Sequence, residues 1–161
     1  LFFFGSRSSE RSPEEKELFA LLDSVKVHAI NPDNIQEHIR KKFVMISATA
    51  TGTSYFNQTV GDALTDHPTE MRALIEELCS LFQSLGYDLG EDAVERTIER
   101  QTFMIPTSTS SMHVDFMAGH ATELENLTGY VVRTARAHGL SLPTYEKMYE
   151  ALASQPYPPA L

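Results

Sequence analysis

The chain has 161 residues, with 22 Asp and Glu against 13 Lys and Arg, for a formal net charge of −9. That length suits one domain of ordinary size with its own core, and the acidic balance, with a pI of about 5.1, excludes nucleic-acid binding through a basic surface. The single Cys79 excludes an internal disulfide framework and is compatible with a reducing cytoplasm, while no apolar run reaches membrane-spanning length.

The chain opens on Leu1 inside an apolar run, without a signal-peptide pattern, and reads as a piece of something larger. Leu1 to Gly5 reads as a short buried strand. Ser12-Pro13-Glu14-Glu15 supplies an N-cap, a proline at the first helical position and acids in the first turn, which predicts a helix to about Asp23 with Leu18, Leu21 and Leu22 on its apolar face. Val25 to Ile30 alternates and reads as a second strand. A strand–helix–strand of this size cannot cover both faces of its sheet or pair its edges. An exposed first strand is also an edge on which two copies of the isolated chain could pair, so a homodimer of this chain alone would not by itself be the parent's assembly.

After Asn31-Pro32 the pattern turns helical. Asp33 is placed to cap a helix through Ile35, Ile39 and Phe43 to about Asn57. From Phe43 to Thr59 the residues are small and uncharged, which implies burial and close helix approach. His67-Pro68-Thr69-Glu70 begins the clearest helix, with Met71, Leu74, Ile75, Leu78, Leu81, Phe82 and Leu85 at core spacing and Gly86 as its stop. A shorter helix runs from Asp92 to about Phe103, and Pro106 breaks the chain. Thr122 and Glu125 fit a capping box, so a helix is expected from Thr122, with Leu124, Leu127, Val131 and Ala135 as its buried stripe. Gly129 falls inside that helix, where glycine costs about 1 kcal/mol against alanine; it implies close approach of another backbone or a ligand. Gly139 ends the helix and Pro143 opens a last one through Tyr145, Met148, Tyr149 and Leu152. The tail from Gln155 to Pro159 is expected to be extended or disordered. No internal repeat is present.

The ordered string Ser110-Ser111-Met112, Asp115, Thr122-Glu123, Gly129, His138-Gly139 and Pro143 resembles the C-terminal domain of the ketopantoate reductase (2-dehydropantoate 2-reductase) family. The resemblance implies a mainly α fold: a helical C-terminal domain of the 6-phosphogluconate-dehydrogenase-like type over residues 32–161. Residues 1–31 would be the residual β-α-β piece of a Rossmann nucleotide-binding domain. No G-x-G-x-x-G occurs in the sequence, so that domain's phosphate-binding turn is missing.

The resemblance also implies a site. Its lysine falls on Lys42 of Arg40-Lys41-Lys42-Phe43, a register supported by Gly61, with Lys41 as the alternative. A lysine suits the chemistry: hydride addition to a ketone leaves an alkoxide, to which a partly desolvated ammonium can give a proton. Glu123 would orient the substrate hydroxyl or the cofactor ribose; the bland alternative is a first-turn acid favoured by the helix dipole. Ser111 would donate to a substrate carboxylate, or else merely cap a short helix through Met112. Asp115 is the second substrate-side candidate, though more simply a structural hydrogen-bonder. The family's amides at three further places are here Ile46, Ala50 and Val60. Ser47, Thr49 and Thr53 are the nearest hydroxyls, but buried Ser and Thr on a helix ordinarily bond back to a carbonyl. His113, His120 and His138 are not spaced as metal ligands, so no metal is expected. Cys79 reads as inert packing.

Two readings follow from the resemblance. One is the substrate half of an NADP-dependent 2-oxo acid reductase, cytoplasmic and inactive as this chain alone. The other is a non-catalytic helical interaction or dimerisation module diverged from that family.

Overall fold

The structure, a computed structural model, describes residues 2–6 and 10–155. Leu1 and the expected extended tail from position 156 onward lie outside the described residues. The architecture is mainly α with a two-stranded parallel sheet. The chain divides into two compact units, Leu1–Lys42 and Phe43–Leu161.

In the first unit, strand β1 (Phe2–Phe3) pairs in parallel with β2 (Ala29–Ile30), Phe2 opposite Ala29 and Phe3 opposite Ile30. Helix α1 (Pro13–Ser24) connects them, so the strand–helix–strand order is as expected. Ser12 and Glu15 form a reciprocal capping box at its start. Two expectations are corrected. The first strand is exposed, Phe2 at 51% and Phe3 at 38%, and no residue of α1 is buried. The second strand begins later than Val25, because residues 25–27 close α1 instead. Lys26 sits in the left-handed region at φ 57°, with Lys26 N–H bonded to Asp23 O at 2.9 Å and Val27 N–H to Leu22 O at 2.9 Å. That is the Schellman arrangement, and it takes these residues out of the extended backbone a strand needs.

Helix α2 (Ile35–Phe56) runs unbroken over the stretch expected to be one long helix. Its cap is Asn34, whose Oδ1 accepts from Glu37 N–H at 3.3 Å. Asp33, the expected cap, pairs instead with Arg11 at 2.9 Å.

In the second unit, α4 (Pro68–Ser84) packs against α3 (Val60–Asp66), α5 (Ala93–Thr102) and α8 (Pro143–Ala153). Met71, Leu74, Ile75, Leu78, Leu81 and Phe82 of α4 are all buried, and Gly86 ends the helix at φ 80°. Fully burying a leucine is worth about 1.5–3 kcal/mol, so this stripe dominates the core. Helix α3 was not expected. Its signal was local nonetheless: Thr59 accepts from Asp62 N–H at 3.2 Å, a Thr-x-x-Asp start. Helices α6 (Ser111–Ala118) and α7 (Tyr130–Ala137) complete the unit, α7 being preceded by a single π turn (Glu125–Gly129).

Helix α8 has no side-chain cap of its own. Glu77 of α4 takes that role: its carboxylate accepts from Thr144 N–H at 2.8 Å and Tyr145 N–H at 3.0 Å. Glu77→Ala is therefore expected to cost about 1–2 kcal/mol, as for loss of a charged cap, with Glu77→Gln in between. Urea denaturation of the three proteins measures it, and an unchanged midpoint in the alanine variant would refute the cap.

Candidate active site

The buried face of α2 is lined with hydroxyls. Ser47, Thr49, Thr51, Thr53 and Ser54 are all buried, as the run of small residues implied. Thr49 donates to Met45 O at 2.7 Å and Thr53 to Thr49 O at 2.8 Å, the back-bonding expected of buried threonines. What spacing along the chain did not reveal is that the same hydroxyls also bond across to other elements. Thr49 Oγ1 accepts from Gln101 Nε2 of α5 at 2.9 Å. Ser47 Oγ meets Tyr145 Oη of α8 at 3.1 Å, and Thr51 Oγ1 meets Thr128 Oγ1 of the π turn at 2.8 Å. Thr53 Oγ1 lies 2.8 Å from Ser110 Oγ.

Ser110, not Ser111, is the N-cap of α6: its hydroxyl oxygen accepts from His113 N–H at 3.1 Å. Ser111 occupies the first helical position and is exposed, so the capping role that was the alternative for it falls away. Asp115 lies on the same helix, half-buried, 3.7 Å from His120 Nδ1.

Thr122 does not open a helix. Its hydroxyl accepts from Leu124 N–H at 3.3 Å, and the helical turn starts three residues later at Glu125. Glu125 turns its carboxylate to Tyr149 Oη at 2.8 Å and to Arg133, rather than back to Thr122 as a capping box requires. Glu123 thus stands exposed in the bend before the π turn, and its carbonyl accepts from Asn126 and Leu127 N–H at 3.0 and 2.9 Å. The residues after Ser111 and Glu123, Met112 and Leu124, are buried in one apolar cluster with Ala50 and Leu152. That cluster anchors the two segments carrying Ser111 and Glu123 together.

Lys42 belongs to the first unit and is exposed on α2; Ser111, Asp115 and Glu123 belong to the second. Lys41 is engaged with Glu37 one turn earlier. Of the three places without amides, Ala50 and Val60 are buried and Ile46 is 37% exposed. Gly61 is required where it stands: a Cβ there would lie 2.8 Å from Pro106 Cβ and 2.9 Å from its carbonyl oxygen. The chain at 106–108 lies directly on the start of α3, with Val60 and Gly61 N–H bonded to Ser108 O and Pro106 O, each at 2.9 Å.

His113 is a buried residue that sequence reasoning dismissed only as a metal ligand. Its Nε2 lies 2.8 Å from Asn57 Oδ1 and its Nδ1 2.6 Å from Thr109 Oγ1. An amide oxygen only accepts, so with this amide assignment Nε2 carries the proton and neutral Nδ1 accepts from Thr109. Burial lowers its pKa below the usual histidine value. A lowered folded-state pKa means the unfolded chain binds the proton first. His113 therefore contributes stability that is present above about pH 6.5, the unfolded value, and lost as pH falls through the folded one. A His113→Gln variant is expected to show a flatter stability curve from pH 7 to 5 in denaturation midpoints, and an identical slope would refute the assignment.

Among the described residues no group of three His, Cys, Asp or Glu side chains could hold a metal ion. A cleft of about 690 Å³ lies at the end of α4, lined by residues that include Glu76, Cys79, Gln83, Tyr87 and Asp88. It contains none of Lys42, Ser111, Asp115 or Glu123, and burial, with Glu76 beside it, pushes the Cys79 thiol up to about 11. A thiol so held is protonated at neutral pH and is no nucleophile.

The family model "Ketopantoate reductase PanE/ApbA C terminal" matches residues 34–155. The uncharacterized oxidoreductase YkpB of Bacillus subtilis (strain 168) is 29% identical over 153 residues, covering 94% of this chain and 50% of its own length. The 2-dehydropantoate 2-reductase of Salmonella typhimurium is 28% identical over 118 residues, 73% of this chain and 39% of that protein. The crystal structure of 2-dehydropantoate 2-reductase from Porphyromonas gingivalis W83 superposes with a TM-score of 0.78 at 37% identity, covering 94% of this chain and 46% of that one. This chain thus spans about half the length of such relatives, or less.

Proposed function

The chain belongs to the ketopantoate reductase family, matching its C-terminal domain, and from this premise we propose that it is the substrate-binding half of an NADP-dependent 2-oxo acid reductase. Residues 32–161 are the helical substrate domain in this reading, and residues 1–31 the end of a nucleotide-binding domain. The exposed apolar faces of β1 and α1 support that division, since they are what further strands and helices of such a domain would cover. In this reading the parent enzyme is cytoplasmic, and a homodimer is its candidate assembly. Among the described residues no helix is long and apolar enough to cross a membrane.

When bound, the nicotinamide supplies the hydride. This sequence holds no G-x-G-x-x-G, so the pyrophosphate would be held by the remainder of the protein, and the exposed Glu123 carboxylate is the acceptor this chain offers to a ribose or substrate hydroxyl. Lys42 gives a proton to the carbonyl oxygen as its carbon is reduced, so that a 2-oxo acid becomes a 2-hydroxy acid. Ser111 donates to the substrate carboxylate, with Asp115 on the next turn of the same helix. The observation that carries the reading is the shared anchoring of the Ser111 and Glu123 segments in the Met112–Leu124 cluster. Retention of Lys42, Ser111 and Glu123 together favours the reductase over a non-catalytic helical module. The substrate is a small 2-oxo acid; 2-dehydropantoate, named for the relatives, is the first to try.

The test is NADPH oxidation by the full-length protein against a panel of 2-oxo acids that includes 2-dehydropantoate. Turnover of one of them is expected, with none from the 161-residue chain alone. A full-length protein silent on the whole panel would sink the proposal.

A further inference from the structure

A π turn is rare and is frequent at functional sites, and here one opens α7 instead of interrupting a longer helix. Here the turn Glu125–Gly129 is closed by Gly129 N–H to Leu124 O at 2.8 Å, a five-residue step. It is braced on both sides. Inside, Thr128 is fully buried and its hydroxyl meets the equally buried Thr51 hydroxyl at 2.8 Å. Outside, Glu125 is held by Tyr149 Oη at 2.8 Å and by Arg133, whose Nη2 also donates to the Glu125 carbonyl at 2.7 Å. Gly129 is where these two braces come closest: a Cβ there would lie 2.7 Å from Arg133 Nη1, 2.9 Å from Glu125 Oε2 and 3.1 Å from the Tyr149 ring. What approaches Gly129 closely is side chains of this same unit, in place of the backbone or ligand expected.

The residue immediately upstream of Leu124 is Glu123, whose carbonyl accepts from the amides of Asn126 and Leu127 within the turn. With one extra residue in its first turn, α7 carries Leu124 and Glu123 about 100° around its axis from where an α-turn would place them. We propose that the π turn is a positioning device for Glu123, with Thr51, Thr128, Glu125, Arg133 and Tyr149 as positioning residues that aim its carboxylate at the bound hydroxyl. The inference rests on the reading of Glu123 given above.

The test compares Glu123→Gln, deletion of the exposed Asn126, and the two combined, in the full-length protein. Deleting Asn126 lets the turn revert to α. A folded deletion variant is expected to lose about 100-fold in kcat/KM, the scale of a misplaced group, and no more when combined with Glu123→Gln, because both act through one carboxylate. A folded deletion variant within about twofold of wild type, or losses that multiply in the combination, would overturn the proposal. If the deletion does not fold, the pair Thr51→Val and Thr128→Val decides by the same two criteria. Removing both hydroxyls leaves no orphan and is nearly neutral for stability, and about a 10-fold loss is expected. An active wild type in which Glu123→Gln is silent overturns the positioning role and leaves the reductase reading standing. A wild type that reduces no 2-oxo acid overturns both.

Discussion

Lys42→Ala in the full-length enzyme is expected to lower kcat by about 10²- to 10⁴-fold, the range of a general acid, with little change in KM. In the proposed reaction the ammonium releases a proton to an oxygen that becomes charged only as the reaction proceeds. Lys42→Arg separates that role from mere charge, because a guanidinium keeps its proton at every working pH. The arginine variant is therefore expected to be nearly as slow as the alanine variant. Lys41 pairs with Glu37 one turn earlier, and Lys41→Ala is expected to leave kcat within about threefold, as for loss of a peripheral ion pair. Steady-state NADPH oxidation with the best 2-oxo acid measures all four proteins. A wild-type rate in Lys42→Ala removes that residue from the mechanism.

The second large effect is on stability. Leu78 and Leu18 both lie on apolar helix faces read from spacing, yet Leu78 is 0% exposed and Leu18 is 41% exposed. Leu78→Ala is expected to cost about 2–5 kcal/mol, the transfer term plus a cavity that the surrounding helices cannot fill. Leu18→Ala in the 161-residue chain is expected to change stability by about 0.5 kcal/mol or less. In the full-length protein, where the proposed nucleotide-binding domain covers α1, the same change should cost more than about 1 kcal/mol. Denaturant midpoints of the two variants in both lengths measure this. An equal, small cost for Leu18→Ala in both would refute the proposal that the first unit is the end of a larger domain.

The helices were largely legible from the chain, because what makes them is local. The stripe from Met71 to Leu85, the Ser12–Glu15 box and the glycine stops all act within a few residues of one another. Caps were less secure. Asp33 against Asn34, Ser111 against Ser110, and Thr122 against a start at Glu125 each place two qualified side chains or turns side by side, and packing chose between them. Val25–Val27 alternates like a strand, but the end of α1 needed those residues for its own closure.

By itself, then, the sequence determined the helical class, the core stripe of α4, the burial of the Phe43–Thr59 face and the family to which the chain belongs. Only the tertiary structure decided which hydroxyls meet, that Glu77 caps α8, and that a π turn follows Glu123. The reason is physical. Thr51 and Thr128 are 77 positions apart, and a hydrogen bond across that distance leaves no mark on the spacing of either residue's neighbours.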